Sequence, residues 1–258
     1  MSSPPISVVV ITKNEEANIA RCLASVRWAD EIVVVDSGST DRTVEIAREY
    51  TSRVHDEAWR GFGPQKNLAA SRATGDWILS LDADEWVSDE LREALQAAAR
   101  SESPHDAWSM PRSSIFCGRI MRHSGWWPDY VTRFFRRGRA EFSGDRVHER
   151  LLVRGTTGML KAPLLHESYR DLDQVIGKMN RYSQLAAQDM HARGRRSSVP
   201  AAVARGLWAF IRVYVLRAGF LAGREGFMVA VATAESTYYR YLKLMHLAEA
   251  ARGGDSRR

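Results

Sequence analysis

Three segments of the chain set carboxylates directly behind short apolar runs: Thr12-Lys13-Asn14-Glu15 behind residues 6–11, Asp36-Ser37-Gly38-Ser39-Thr40-Asp41 behind residues 31–35, and Asp82-Ala83-Asp84-Glu85 behind residues 77–81. A carboxylate in such a position accepts from ribose hydroxyls or a base N–H, and two carboxylates flanking one residue can hold a hard divalent cation through oxygen ligands. If the apolar runs are parallel strands, all three segments fall at the carboxyl edge of one sheet, where helix N-termini and turn amides also point and where open α/β sheets bind ligands.

Each segment taken singly has a plainer explanation. Asp and Ser after a strand serve as turn formers or helix caps, and Asp-Ala-Asp makes a solvated turn. The order is more informative: an acidic strand end, DSGSTD about 20 residues later, Lys66-Asn67 at a helix start, then an apolar strand running straight into Asp82-Ala83-Asp84.

The elements that must position these groups follow from periodicity. Residues 6–11, 31–36, 53–55 and 77–81 read as strands, and residues 16–27, 41–50, 65–73 and 88–100 as helices. In the first helix Ile19, Cys22, Leu23 and Val26 form one apolar stripe; Asp41 and Ser88 stand at cap positions of later helices. This alternation predicts an α/β fold with a mixed, mainly parallel sheet and helices on both faces. Past Ser103-Pro104, short β-like runs at 108–110, 131–136 and 151–153 suggest an antiparallel extension. From Leu172 onward the pattern is helical: Leu172, Val175, Ile176, Met179 and Ala186 form a stripe, with further helices opening at Pro200 and near Glu225. The expected division is an α/β domain over 1–170, in two parts, 1–100 and 101–170, and a basic, amphipathic helical extension over 171–258.

The segments VVVITKNEEANIARCL, EIVVVDSGSTDRT, GFGPQKNLA, ILSLDADEW, GWWPDYVTRFFRRG, VHERL and RAGFLAGREGF resemble, over nearly the whole chain, glycosyltransferase family 2, nucleotide-sugar enzymes of the Rossmann-like GT-A fold. Within it the chain resembles the lipopolysaccharide core glucosyltransferases that add a β-1,4-linked glucose. The resemblance implies an inverting, metal-dependent transfer of a hexose, such as glucose from UDP-glucose, to a lipid-linked saccharide at the cytoplasmic face of the inner membrane. Another cell-surface polysaccharide or polyprenyl-linked acceptor is the alternative. It further implies that residues 1–170 are the catalytic domain, with 1–100 its nucleotide-binding part and 101–170 its acceptor-side part, that Asp36 contacts uracil or ribose, that Glu15 helps hold the nucleoside and that Lys66 approaches the nucleotide. Asp82 and Asp84 match the DxD motif, Asp84 binding Mg2+ or Mn2+ and Asp82 reaching the donor sugar or ribose. Glu149, in Val147-His148-Glu149, matches the catalytic base, with Asp145 as a nearby rival. His166 is a third metal ligand or diphosphate contact, or else a packing residue. Trp126, Trp127 and Arg133 either meet a sugar or fill a core; the Arg136-Arg137 pair could equally be a solvated edge.

Other functions fit less well. A haloacid-dehalogenase-type phosphatase wants Thr or Val two positions past its second Asp, where this chain has Trp86, and a nicotinamide dehydrogenase wants a G-x-G-x-x-G after the first strand. A nucleic-acid or membrane-binding module would leave the acidic strand ends without purpose, and nucleic acid is not an expected partner.

Composition is ordinary for a globular chain: 258 residues, 45% hydrophobic and 26% charged, exclude collagen-like, low-complexity and wholly disordered classes. Two cysteines in no metal-type spacing exclude a disulfide scaffold and suggest a reducing compartment. The N-terminus does not read as a signal peptide, and no uncharged run approaches the length of a spanning helix. Net charge is +6, yet residues 1–100 carry 11 Lys and Arg against 17 Asp and Glu, whereas residues 101–258 carry 26 against 14. From Pro200 to Leu247, aromatic and aliphatic residues mix with six basic and two acidic ones, which favours an interface with a lipid surface over a helix pair packed on the catalytic domain.

Overall fold

The computed structural model describes residues 4–144 and 149–255, and the chain folds as two compact units. One takes the chain as far as Ser113 together with Asp129–Glu167; the other takes Ser114–Pro128 and the chain from Ser168 onward.

The first unit opens with β1 (Ile6–Thr12), α1 (Ile19–Ala24), β2 (Glu31–Asp36), α2 (Thr43–Arg48), β3 (Val54–Asp56), α3 (Phe62–Ser71), β4 (Trp77–Asp82), β5 (Glu85–Val87) and α4 (Asp89–Arg100). β1 pairs in parallel with β2 and β4, and β2 with β3, so Thr12, Asp36 and Asp82 all end strands at the same sheet edge. Every residue of β1 is buried, as expected of a central parallel strand covered on both faces. Successive side chains point to opposite faces. Val8, Val10, Val34, Leu79 and Leu81 pack with Ile19, Cys22, Leu23 and Val26 and with Leu91 and Leu95 of α4. Val9, Ile11, Val33, Val35 and Ile78 pack with Ala69 and Ala73 on the other face. The stripe expected in residues 16–27 is thus fully buried, although regular helix covers only α1. Ser88 Oγ accepts from the Leu91 amide and caps α4, and Asp41 Oδ1 accepts from the Thr43 amide ahead of α2.

β6 (His105–Phe116), β7 (Arg119–Ile120), β8 (Asp129–Arg136), β9 (Ala140–Phe142), β10 (Leu151–Val153), β11 (Thr156–Met159) and β12 (Leu164–Tyr169) follow. β8 adds antiparallel to β4, and the sheet runs β3-β2-β1-β4-β8-β6-β12-β5. This is the mixed, mostly parallel sheet with helices on both faces that the sequence predicts. β9 and β10 form a separate ribbon fastened to α3: Asn67 Nδ2 donates to the Phe142 carbonyl at 2.8 Å, and the Phe142 amide donates to Asn67 Oδ1 at 2.7 Å.

The second unit contains α5 (Leu172–Ala192), α6 (Val199–Ile211) and α7 (Gly223–Asp255), with a π-helical turn Arg212–Leu216 and a 3-10 turn Gly219–Ala222 between the last two. Asp171 and Ser198 cap α5 and α6, and Pro200 sits in the first turn of α6. Its core joins Phe116 and Met121 to Val175, Val213, Val229 and Ala230. The hairpin of Ser114–Pro128 therefore groups with the helices, whereas the contiguous reading of 101–170 separates it from them. The stripe expected on α5 is only partly inward: Val175 is buried, but Leu172 and Ile176 are exposed, and Ser183 and Ala187 take buried positions instead. Val199–Leu216 is long and apolar enough to cross a membrane by length and composition, with mean hydropathy 1.4, although Arg205 and Arg212 interrupt it. Uncharged run length alone does not register this segment.

Candidate active site

β4 ends on Asp82, and the chain turns through Ala83-Asp84 into β5. The turn is closed by its own fourth residue, since the Asp82 amide donates to Glu85 Oε2 at 3.0 Å. Glu85 is fully buried and takes Arg133 Nη2 at 3.0 Å, with Arg112 Nη1 at 3.6 Å. Arg133 reaches this point because β8 lies beside β4, and the same Nη2 stands 2.6 Å from Asp82 Oδ2. From the opposite side α3 supplies Lys66, 1% exposed, whose Nζ lies 2.9 Å from Asp82 Oδ1 and 2.8 Å from Glu149 Oε1. The strand end is thus a chain of alternating charges, Glu149–Lys66–Asp82–Arg133–Glu85. Desolvating an ion costs several kcal/mol, on the order of what a single partner returns, and this alternation lets the ions share partners.

The electrostatics follow from that alternation. Burial works to raise the Asp82 carboxyl, but the Arg133 and Lys66 cations outweigh it and hold Asp82 well below the usual carboxylate range. Burial works to lower the Arg133 guanidinium, and Asp82 and Glu85 more than reverse it. Cys22, whose Sγ lies 3.7 Å from the Asp82 carbonyl, is pushed up by burial and by Glu85, Asp84, Asp82 and Glu15, which favours the protonated thiol.

Asp84 faces β12. Its carbonyl accepts from the Glu167 amide at 2.9 Å, and its Oδ2 lies 3.4 Å from His166 Nε2. A carboxylate and an imidazole at this separation suit one divalent cation. Among the described residues no group of three or more His, Cys, Asp and Glu is gathered for a metal. Among the described residues Asp84 and His166 thus form a two-donor pair, and a cation held there would take the rest of its shell from water or a bound ligand's oxygens.

At the other strand ends the acidic side chains are bound into the loops. Asp36 is 1% exposed, and its carboxylate accepts from the Ser39 amide at 2.7 Å and the Ser39 hydroxyl at 2.5 Å. Gly38, at φ +77°, supplies the left-handed residue that this turn requires. The Ser37 amide donates to the Thr12 carbonyl, and Gln65 Nε2 of α3 donates to Ser37 Oγ at 3.1 Å. Glu15 takes the Asn18 side-chain amide on Oε2 at 2.7 Å, and its own amide donates to Thr43 Oγ1 at 2.7 Å. Asn14 Oδ1 takes the Thr40 amide, joining the first two loops into one rim.

Of the residues singled out by sequence, the structure brings Lys66, Asp82 and Glu149 into direct contact and pairs Asp84 with His166; Glu15 and Asp36 hold the neighbouring loops. Asp145 lies outside the described residues, as do Val147 and His148. Arg133 is a buried partner of Asp82 and Glu85, not a surface group open to a sugar. Trp126 is half-buried against the core of the second unit, 5.8 Å from Phe116 and 6.2 Å from Tyr169 between ring centroids, and Trp127 lies under the Arg122 guanidinium at 4.3 Å. Arg136 stacks on Trp77 and Arg137 donates to the Gly75 carbonyl, so neither is a free edge charge. Sequence reasoning places Glu85 in the acidic strand end but gives it no role, and it misses Arg112; the available signal for Glu85 was a carboxylate followed directly by Trp86-Val87.

Comparison with known proteins bears on the same region. The model of the family described as glycosyl transferase family 2 matches residues 7–156. An uncharacterised glycosyltransferase of Rickettsia typhi is 30% identical, over 94% of this chain and 87% of its own. The lipopolysaccharide core biosynthesis glycosyltransferase LpsC of Rhizobium meliloti is likewise 30% identical, over 92% of this chain and 93% of its own. Among solved structures, the mannosyltransferase PcManGT of Pyrobaculum calidifontis, in complex with GDP-Man and Mn2+, superimposes with a TM-score of 0.53 over 95% of this chain and 88% of that one, at 17% identity. That likeness speaks to the fold.

Proposed function

The chain belongs to glycosyltransferase family 2, and from that premise we propose that it is an inverting, metal-dependent transferase moving a hexose from a UDP-sugar, with glucose as the sugar, to a hydroxyl of a lipid-linked saccharide such as the lipopolysaccharide inner core. The observation that carries the reading is the single buried ammonium of Lys66 tying Asp82, of the DxD motif, to Glu149. Inverting transfer needs a base beside the donor's anomeric carbon, opposite the leaving diphosphate. Glu149 is that base: an anionic carboxylate, held in one orientation by Lys66, that takes the acceptor proton. Asp82 hydrogen-bonds the donor sugar or ribose, while Glu15 and Asp36 bound the nucleoside end. Asp84 and His166 would hold Mg2+ or Mn2+, which would supply positive charge beside the leaving diphosphate in place of a proton.

The lipopolysaccharide acceptor is supported by LpsC, whose name assigns it to core biosynthesis. An acceptor of that kind is presented at the inner membrane, so the enzyme works in the cytoplasm, peripherally on that surface, without nucleic acid as a partner. The test is UDP-sugar hydrolysis and binding with Mn2+ across several donors, for the wild type and for Asp82→Ala and Asp84→Ala. Metal-dependent turnover of one UDP-sugar that collapses in both variants is the expected result. Unchanged turnover in either variant, or no donor bound at all, overturns the mechanism.

A further inference from the structure

The second unit carries a surface that the transfer chemistry does not use. On α6, Ala202, Gly206 and Ala209 are buried, and Gly206 faces α7 so closely that a Cβ there would press on the Ala234 carbonyl and the Tyr238 side chain. The opposite face is open. Leu207 is 62% exposed, Trp208 56%, Val215 52% and Leu216 64%, and Phe220 and Leu221 continue the patch around the following turn. Single exposed apolar residues are ordinary, but a continuous run of large ones marks an interaction surface.

Charge identifies the occupant. From Met190 to Arg224 the chain has seven arginines and no Asp or Glu. Arg195, Arg196 and Arg212 are exposed, Arg212 within the apolar patch itself. A second copy of this chain would bring the same arginines against each other, which disfavours a homodimer through this face. An anionic bilayer surface supplies both apolar depth and phosphate. Crossing the bilayer is disfavoured, because it would carry Arg205 and Arg212 through hydrocarbon and would expose a face of α6 already packed on α7.

We propose that the face formed by Val199–Leu216 with Phe220 and Leu221 is an in-plane anchor that sinks its apolar side chains below the headgroups of anionic phospholipid, with Arg195, Arg196 and Arg212 on the phosphates. The proposal deepens the membrane-surface element of the function above and rests on it only for its biological setting. The test is flotation of the full chain with vesicles of phosphatidylcholine alone or mixed with phosphatidylglycerol, at low and high salt. Binding should need phosphatidylglycerol and weaken with salt. A triple charge reversal, Arg195→Glu with Arg196→Glu and Arg212→Glu, should lose at least about tenfold in affinity, since each cation near such a surface contributes several-fold. Leu216→Ser with Phe220→Ser and Leu221→Ser should also release the protein, with circular dichroism and UDP-sugar hydrolysis unchanged. No binding to the mixed vesicles, equal binding to both kinds, or a dimer in sedimentation that the apolar variant abolishes while leaving flotation intact would each overturn it. Hydrolysis is measured separately, so failure of the anchor and failure of the transferase reading are distinguishable.

Discussion

Lys66 Nζ and Glu149 Oε1 meet at 2.8 Å across 83 residues of sequence, and the same ammonium is 2.9 Å from Asp82. Lys66 is almost wholly buried, so water cannot replace either partner. Lys66→Met keeps the length of the side chain and removes the charge, leaving Glu149 without this counter-ion and Asp82 without one of the two cations that touch it among the described residues. Removing one partner of a buried pair costs about 3 kcal/mol or more. Urea unfolding should register a loss of that size together with a collapse of transfer activity; a variant as stable as the wild type would mean that the bridge is energetically idle.

The same network sets a pH dependence. Burial opposes ionisation of Asp82, yet Arg133 and Lys66 keep its folded-state pKa well below the roughly 3.9 of an unfolded Asp. A depressed carboxylate contributes stability that is complete above the unfolded value and is lost as pH falls toward the folded one. The difference in unfolding free energy between wild type and Asp82→Asn should therefore stay flat from pH 8 to about 5 and shrink only below about 4. A difference already fading between pH 7 and 5 would place the carboxyl in a neutral or raised range and contradict the ion-pair geometry.

How much of this is legible in the sequence depends on which forces act locally. β2 is legible to the residue, because a β-branched run between charged residues has one solution, and α4 is legible from its Ser88 cap. β6 reads as three residues where twelve form a strand, since Pro111 interrupts the run and its pairing with β8 is a long-range fact. The acidic segments end β1, β2 and β4, which the parallel pairing sets at one sheet edge as their order suggests. The counter-charges are not legible: Arg133 is three residues from the pair Arg136-Arg137, and only the antiparallel placement of β8 beside β4 turns it inward onto Asp82 and Glu85. The grouping of Ser114–Pro128 with the helices is likewise written in packing, Phe116 in one core with Val213, and not in composition.

Glu149→Gln separates chemistry from binding. The amide retains the shape of the carboxylate and a hydrogen-bond acceptor for Lys66, but it cannot take a proton at useful rates. If Glu149 is the base, kcat should fall by about 10²–10⁴ while the affinity for UDP measured by calorimetry stays within about twofold. A mild fall in kcat, or loss of UDP binding in parallel, would move the role to another residue.

Gly63 tests whether the base depends on the seating of α3. A Cβ at this position would drive into the backbone of Ser143 and lie 3.6 Å from the Glu149 Cβ. The obstruction is main chain, so no rotamer change relieves it; α3 and the Ser143 backbone must separate. Because Lys66 rides on α3, the separation would also stretch its bond to Glu149. Gly63→Ala should cost about 1–3 kcal/mol as an overpacking change. It should lower kcat more than it weakens UDP binding, since the proposed function gives the nucleoside end to the loops after β1 and β2. Alanine is a better helix former than glycine, so the substitution carries no propensity penalty of its own, and a neutral outcome would show that α3 and the ribbon of β9 and β10 are less closely seated than their contacts imply.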